Sequence, residues 1–389
     1  MSTVYMDHNA TTPVDTRVVE AMLPYFSESF GNPSSPYELA ARSRHAVDAA
    51  REQVSTAIGA GPEDIVFTSG GTESDNIAIK GVLFRARDER AHVVSSAIEH
   101  HAVLHTLQYM RDRFGFDVTF VPVGGDGRVD PRAVEDALRP ETVLISIMHA
   151  NNETGVIQPL SEIARIARER SVTLHTDAVQ SVGKIPLDVS ELGVDLLSLS
   201  AHKLYGPKGV GALYVRPGVK LDPLSHGGGH EAGLRPGTEN TPGIVGLAEA
   251  LRIATEHLAE EGERLAALTK RLQVGALGSI PEVLLNGAEK HRIPGTLNLA
   301  FKHVEGESVV LSLDMEGFAV STGSACTTDS DEPSHVLSAM GVAPRDAQGS
   351  VRFGLGRSTK SDDVDRLLDV LPGVVERLRA MSPTYRRSA

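Results

Sequence analysis

Polar and reactive side chains stand directly after a series of β-rich runs in this sequence. A small-residue turn, 69–72, follows the run 64–68 and leads into a helical pattern. The later runs are followed by imidazoles, carboxamides, a carboxylate and an amine, namely His100 and His101, Asn151 and Asn152, Asp177 with Gln180, and His202 with Lys203. Because ligands of open α/β sheets bind at the carboxyl ends of parallel strands, we expect these groups to meet around one ligand.

This set of groups fits the chemistry of pyridoxal 5'-phosphate. A lysine amine condenses with the aldehyde of that cofactor, and a carboxylate against the ring nitrogen keeps the nitrogen protonated. A flat imidazole can stack on the ring, and a Gly-Thr helix start offers backbone N–H groups to the phosphate. The chain therefore carries, in order, each group that such a site requires.

Each of these features also has an ordinary explanation when it is taken alone. The turn 69–72 can be a tight turn with a threonine cap, and it lacks the Gly-Lys-Ser/Thr sequence of a Walker motif. Asp177 is typical of a turn or helix cap, and a lysine beside glycine and proline is usually solvated. The histidines and Asp177 could in principle bind a metal, but they lack the compact spacing that metal ligands usually have. What favours a cofactor site is the conjunction of the groups at successive strand ends.

Cys326 is the only cysteine of the chain and stands within the polar segment 321–335, "STGSACTTDSDEPSH". A lone cysteine is most often a small buried residue, but these neighbours are typical of a surface loop. It cannot form an internal disulfide, which fits a reducing compartment. The thiol therefore either has no function or is placed where other groups can reach it.

The elements that must position these groups alternate between strand and helix patterns. Strands are predicted at 64–68, 91–96, 116–123, 142–150, 171–177, 194–200 and 210–216, with helical patterns between most of them. This alternation predicts an α/β domain with a mostly parallel sheet. Only nine residues separate the last two strands, too few for a helical crossover, so we expect that pair to be antiparallel and the sheet to be mixed.

The pattern changes near residue 246. A long helix is predicted to run to about residue 274, followed by strands near 282–286, 296–301, 309–313 and 350–354 and a final helix at about 361–381. These elements predict a smaller α+β domain. We therefore expect a large domain formed by residues 14–250 and a small domain formed by residues 1–13 and 251–389.

The net charge and the distribution of apolar residues limit the functions that are expected of this protein. The 389 residues include 38 basic and 51 acidic ones, a net charge of −13, which argues against direct binding to nucleic acid or to an anionic membrane. No apolar run approaches the length of a membrane span, and the N-terminus lacks the features of a signal peptide. The expected location is the cytoplasm.

Ordered motifs along nearly the whole chain resemble those of the cysteine desulfurases, members of the class V aminotransferase family with the type I fold of pyridoxal-phosphate enzymes. The motifs that carry the resemblance are "YMDHNATTP", "GNPSSP", "FTSGGTESDNIAIKG", "EHHAV", "MHANNETG", "HTDAVQSVGK", "SLSAHKLYGPKGVGAL", "GGGHEAGLRPGTEN", "STGSACT" and "VRFGLGR".

The resemblance implies a role for each candidate residue. Lys203 would attach the cofactor, Asp177 would pair with the ring nitrogen, and His100 would stack on the ring and serve in acid–base steps. Asn152 and Gln180 would bind the phenolic oxygen of the cofactor or the substrate. The phosphate would be held by Gly71, Thr72, Ser200 and His202, and by Thr238 of a neighbouring subunit in a homodimer. Arg352 would bind the substrate carboxylate through a bidentate fork.

The resemblance also implies a reaction. L-cysteine would be converted to L-alanine, and its sulfur would pass to Cys326 as a persulfide and then to an acceptor protein. The segment around Cys326 is of the long-loop kind that supplies sulfur for iron–sulfur clusters and thio-modification. Two alternatives remain open: a selenocysteine lyase or small-amino-acid aminotransferase of the same fold, and a non-catalytic scaffold. An intact Lys203, Asp177 and His100 argue against the scaffold.

Overall fold

The computed structural model describes residues 3–86, 91–323, 333–382 and 385. Within these ranges the strands are β1 (Val4–Tyr5), β2 (Ile65–Thr68), β3 (His92–Ser96), β4 (Asp117–Val121), β5 (Thr142–Ser146), β6 (Thr173–Asp177), β7 (Leu196–Ser200), β8 (Gly211–Val215), β9 (Val283–Leu285), β10 (Thr296–Phe301), β11 (Phe318–Ala319) and β12 (Ser350–Gly354).

The helices of the same ranges are α1 (Thr16–Met22), α2 (Pro24–Ser27), α3 (Glu38–Ile58), α4 (Gly71–Ala86), α5 (His101–Phe114), α6 (Pro131–Ala137), α7 (Leu160–Glu169), α8 (Val189–Leu192), α9 (Thr241–Glu256), α10 (Leu258–Ser279), α11 (Gly306–Met315), α12 (His335–Ala339), α13 (Pro344–Gln348) and α14 (Ser361–Met381). None of the described helices is long and apolar enough to cross a membrane.

A seven-stranded sheet dominates the structure, with the strand order β2-β8-β7-β6-β5-β3-β4. The neighbours from β7 through β4 are parallel, whereas β8 runs antiparallel to both β7 and β2. The predicted mixed sheet, including the antiparallel pair at its end, is therefore confirmed. Its central strands are almost entirely buried because helices cover both faces.

Two apolar layers flank this sheet. One contains side chains of α3, α7 and α9, and the other contains side chains of α4 and α5. Residues on opposite faces of a strand therefore reach different layers, as Val93 and Val94 of β3 do. The sheet therefore fixes the positions of the strand ends and of the residues that follow them.

A separate core forms around the three-stranded antiparallel sheet β12-β10-β9. Side chains of α10, α11 and α14 cover it, and Met6 joins it from the N-terminal segment, next to the short parallel pair of β1 and β11. The division of the chain into residues 14–250 and residues 1–13 with 251–389 remains a prediction.

Two predicted elements of the C-terminal part were wrong. The run 309–313 lies in helix α11, not in a strand, because Val309 and Leu313 are four residues apart and both bury their side chains on one helical face. The single helix predicted from 246 to 274 is two helices that part at His257, because α9 packs on α3 whereas α10 packs on α14.

Candidate active site

A cavity of about 350 Å³ opens at the carboxyl ends of the parallel strands. It is lined by ten residues predicted from the sequence: Gly71, Thr72, His100, Asn152, Asp177, Gln180, Ser200, His202, Lys203 and Arg352. It is also lined by residues that the sequence reasoning missed: Asn9, Ala10, Asp75, Met148, Val179 and Gly323. The topology thus brings together groups that lie far apart in the sequence.

Lys203 ends the short 3₁₀ turn that directly follows β7. Its Nζ donates hydrogen bonds to the carbonyl oxygens of Asn9 at 2.8 Å and Ala10 at 2.6 Å. These two carbonyls belong to the N-terminal segment, where Asn9 and Ala10 line the cavity. The amine is therefore held in the cavity by main-chain acceptors.

Asp177 is the last residue of β6, and its side chain lies almost fully buried at the cavity. Its Oδ1 accepts the backbone N–H of Val179 at 2.9 Å. Burial raises the pKa of Asp177 to about 7, and the neighbouring Asp75 contributes to the rise. A buried carboxyl group of this kind gains most from a cationic N–H partner, since such a partner restores the lost solvation of the charged form.

The start of α4 also lines the cavity. Gly71 approaches Val179 so closely that an added Cβ would lie 2.6 Å from Val179 Cγ2, and Gly70 has a φ of 149°, a region that favours glycine. The first N–H groups of a helix have no acceptor within the helix, and its dipole favours an anion there. Thr72, Ser200 and His202 add side-chain donors around the same point.

His100 is the N-cap of α5. Its Nδ1 accepts the backbone N–H of Ala102 at 3.1 Å, which places the ring hydrogen on Nε2. Burial lowers the pKa of His100 to about 4, and the charge of Lys203 contributes to the lowering. The ring is therefore uncharged near neutral pH and presents a flat face and an N–H group to the cavity.

Arg352 lies in the middle of β12 and is almost completely buried. Its Nη2 donates to Asp7 Oδ1 at 2.7 Å, and its Nη1 donates to the carbonyls of Asn152 at 3.0 Å and Gly323 at 3.3 Å. Its Nε has no hydrogen-bond partner among the described residues. A buried guanidinium N–H that lacks an acceptor is suited to a carboxylate ligand.

Gln180 is oriented by two contacts. Its Nε2 donates to the Asn9 carbonyl at 3.0 Å, and its Oε1 accepts from Lys184 Nζ at 2.9 Å. The side chain therefore turns its amide N–H₂ end toward the carbonyl that also holds Lys203. Lys184 itself is a buried amine whose pKa burial lowers to about 7.

Two predicted residues do not lie in this cavity. Thr238 is exposed on the loop that precedes α9, so its proposed role requires a second subunit. Cys326 lies outside the described residues. The roles of all candidate residues stay proposals, whereas the convergence of ten of them on one cavity is a feature of the structure.

The donor set fits pyridoxal phosphate. A helix start, Ser200 and His202 suit a phosphate, and the buried carboxyl group of Asp177 suits a ring nitrogen. Lys203 supplies the amine that an aldehyde requires, and His100 supplies a flat ring. Across the described ranges, no group of three His, Cys, Asp or Glu side chains is arranged to hold a metal ion.

Comparison with known proteins agrees with this geometry. Residues 4–367 match the class V aminotransferase family. The chain is 53% identical over 380 residues to a cysteine desulfurase IscS of Methanosarcina thermophila, which covers 98% of this chain and 94% of that protein.

Two solved structures are also similar. A NifS-like protein superposes with a TM-score of 0.91 at 39% identity, over 97% of this chain and 100% of the other. The protein SspA, solved in complex with cysteine, superposes with a TM-score of 0.80 at 40% identity, over 90% of this chain and 98% of the other. The chain therefore belongs to the class V aminotransferase family and, within it, to the cysteine desulfurases.

Proposed function

We propose that this protein is a pyridoxal-phosphate-dependent cysteine desulfurase that converts L-cysteine to L-alanine and passes the sulfur to Cys326. The observation that carries the proposal is the convergence of Lys203, Asp177 and a buried Arg352 on one cavity. These groups provide a covalent anchor, a partner for a ring nitrogen and a receptor for an amino-acid carboxylate.

When it is bound, the cofactor supplies an electron-withdrawing ring that makes the bonds at the substrate's Cα easier to break. The chain's own residues orient the reaction around it. Arg352 offers its Nε–H, which has no partner among the described residues, to the substrate carboxylate while Asp7 accepts a hydrogen bond from the neighbouring Nη2. Gln180 and Asn152 offer amide groups near the amine of Lys203, and His100 offers its Nε2–H.

Sulfur transfer requires a nucleophile. The Cys326 thiol loses its proton, and the thiolate attacks the substrate sulfur, so that an S–S bond forms and the C–S bond breaks. The electron pair of the C–S bond goes to the substrate Cβ, which takes up one proton, so that Cys326 is left as a persulfide and the carbon skeleton leaves as L-alanine. Gly323 lines the cavity, and three extended residues span at most about 11 Å. Cys326 is thus close enough in the chain to reach the substrate.

The persulfide then passes to an acceptor protein that serves iron–sulfur cluster assembly or thio-modification. The proposed assembly is a homodimer in the cytoplasm, in which Thr238 of each subunit contacts the phosphate bound by the other. The exposure of Thr238 outside its own cavity supports this arrangement. The net charge of −13 supports delivery of sulfur through a protein rather than direct binding to nucleic acid.

The test is a single turnover of the holoenzyme with L-cysteine, in which alanine and protein persulfide are both measured. The wild type should form about one of each per subunit. Cys326→Ala should keep the colour of the bound cofactor and bind cysteine but form no persulfide. Full sulfide release by Cys326→Ala would contradict the role of this cysteine. A protein that stays colourless with added cofactor would favour the alternative of a non-catalytic scaffold. Turnover that requires a keto acid would indicate an aminotransferase.

A further inference from the structure

Asp75 is a second carboxyl group at the cavity, and the mechanism above does not use it. It lies on α4, four residues after Gly71, so both side-chain positions are on the same helical face. Its side chain is 1% exposed and lines the cavity. Its Oδ1 has no hydrogen-bond partner among the described residues. An acidic oxygen of this kind is costly to bury and therefore points to a ligand or to a proton.

The sheet places Asp75 next to Asp177. Asp177 of β6 lies opposite Ser198 of β7 in the parallel ladder, and the carboxyl group of Asp75 hydrogen-bonds the Ser198 side chain. Asp75 Oδ1 also lies 3.5 Å from Nε2 of His175, two residues before Asp177 on the same face of β6. Two acidic groups thus line the same cavity as near neighbours, and the charge of one acts on the other.

We propose that Asp75 is a positioning residue that acts through Asp177: the second carboxyl group keeps a proton between Asp177 and the ring nitrogen of the cofactor over a wider pH range than Asp177 could alone. The inference rests on the proposed binding of pyridoxal phosphate. According to this inference, two carboxyl groups of the chain, and not one, stabilise the protonated ring nitrogen of the cofactor.

The charges that face the pair favour this role. Burial raises the pKa of Asp75 to about 7, and burial together with Asp75 raises that of Asp177 to about 7. Two of the groups that face this pair are Glu99 and His175. Burial raises the pKa of Glu99 to about 8 and lowers the pKa of His175 to about 4. Both side chains are therefore largely uncharged near neutral pH. Lys203 is the facing cation. A protonated ring nitrogen would add the positive charge that two carboxylates attract.

The test compares the apoprotein of the wild type with Asp75→Asn, which keeps the size of the side chain and removes its charge. Dissociation constants are measured at pH 6 and pH 9 for pyridoxal phosphate and for its carbocyclic analogue, in which a C–H group replaces the ring nitrogen. Thr176→Val is the matched control, because Thr176 Oγ1 is also buried and has no partner among the residues that the structure describes, but faces the other side of β6.

We expect Asp75→Asn to weaken binding of pyridoxal phosphate about tenfold at pH 9, the equivalent of about one pKa unit, and to change it little at pH 6. Binding of the analogue should not change at either pH, which also shows that the variant folds. Thr176→Val should bind both ligands like the wild type.

Equal weakening of both ligands by Asp75→Asn would assign Asp75 a structural role and overturn the inference. Unchanged binding of pyridoxal phosphate at pH 9 would overturn it as well. In both cases the proposed function stands, because the wild type still binds the cofactor. A wild type that binds no pyridoxal phosphate would overturn the proposed function and this inference together.

Discussion

Arg352 donates from Nη2 to Asp7 Oδ1 at 2.7 Å, and this ion pair ties β12 to the N-terminal segment at the cavity. The Arg352 side chain is 3% exposed and the Asp7 side chain 17% exposed, so the pair is shielded from solvent. Asp7 accepts from Nη2, and Nε has no hydrogen-bond partner in the part of the chain that the structure describes. The pairing therefore fixes the orientation of Arg352 before any substrate binds, and it keeps a buried positive charge compensated.

Arg352→Lys should lower kcat/KM for L-cysteine about 10- to 100-fold, mainly through KM. A lysine ammonium cannot form the planar fork, and a hydrogen bond to a charged group contributes about 1.5–3 kcal/mol. Steady-state kinetics of the holoenzyme measure the loss, and the visible band of the bound cofactor should persist.

Arg357→Lys is the matched control for this change. Arg357 pairs with Asp15 at 3.2 Å and lies over the Tyr205 ring, but it does not line the candidate active site. Its replacement should leave KM within about twofold of the wild type. A normal KM for Arg352→Lys would refute the proposed binding of the substrate carboxylate.

Lys203, not Lys184, should carry the cofactor. Both amines are held by acceptors, but only Lys203 lines the cavity, whereas Lys184 Nζ lies on Gln180 Oε1 behind it. Borohydride reduction of the holoenzyme followed by peptide mass mapping should find the label on residue 203. Lys203→Ala should lose the label and all activity, and Lys184→Met should keep the label. A label on Lys184 in the wild type would contradict the assignment.

Much of this site followed from the order of strands in the sequence. Strand ends were predictable because apolar runs stop at polar residues, and Asp177, Asn152 and Lys203 stand at the end of such runs or within three residues after them. The carboxyl ends of parallel strands meet at one edge, so the convergence of these residues required no knowledge of contacts distant in the sequence.

The features that were missed have little or no local signal in the sequence. Asp7 and Arg352 are 345 positions apart, and neither neighbourhood indicates the other. Asp75 stands within a helix, where a polar residue usually faces solvent; its spacing of four from Gly71 was the one available clue. The run 309–313 was mistaken for a strand because Val309 and Val310 favour strands, and packing overrode that preference.

His100→Phe should separate ring stacking from proton transfer. Phenylalanine keeps a flat ring but loses the Nδ1 cap on Ala102 and the Nε2–H group. Affinity for the cofactor should stay within about threefold, and single-turnover persulfide formation should fall about 100-fold, the size typical of an acid–base group. His105→Phe, at a residue that stacks on His101 at 4.7 Å outside the cavity, should react like the wild type. An unchanged rate for His100→Phe would remove the acid–base role.

Glu99 precedes His100 and should make stability depend on pH. Both of its carboxylate oxygens accept the Met148 N–H at 3.0 Å, Ser96 donates to Oε1, and its carbonyl contacts His335 Nε2 at 2.9 Å. Burial raises the pKa of Glu99 to about 8, from 4.5 when it is unfolded. The protonated form is therefore favoured in the folded protein, and its contribution to stability is fully present below pH 4.5 and is lost as the pH rises toward 8.

Glu99→Gln cannot ionise, so the advantage of the wild type over this variant should shrink between pH 5 and pH 8, by at most about 1.4 kcal/mol per pH unit. Urea unfolding of the apoprotein at pH 5, 6.5 and 8 measures the difference. Ser95→Ala is the control, because Ser95 is equally buried on β3, donates to the Ser146 carbonyl at 2.8 Å and does not titrate in this range. Its difference from the wild type should be the same at all three pH values. A constant difference for Glu99→Gln would mean that Glu99 keeps one charge state throughout, and a widening one would mean that its carboxylate form is the stabilising one.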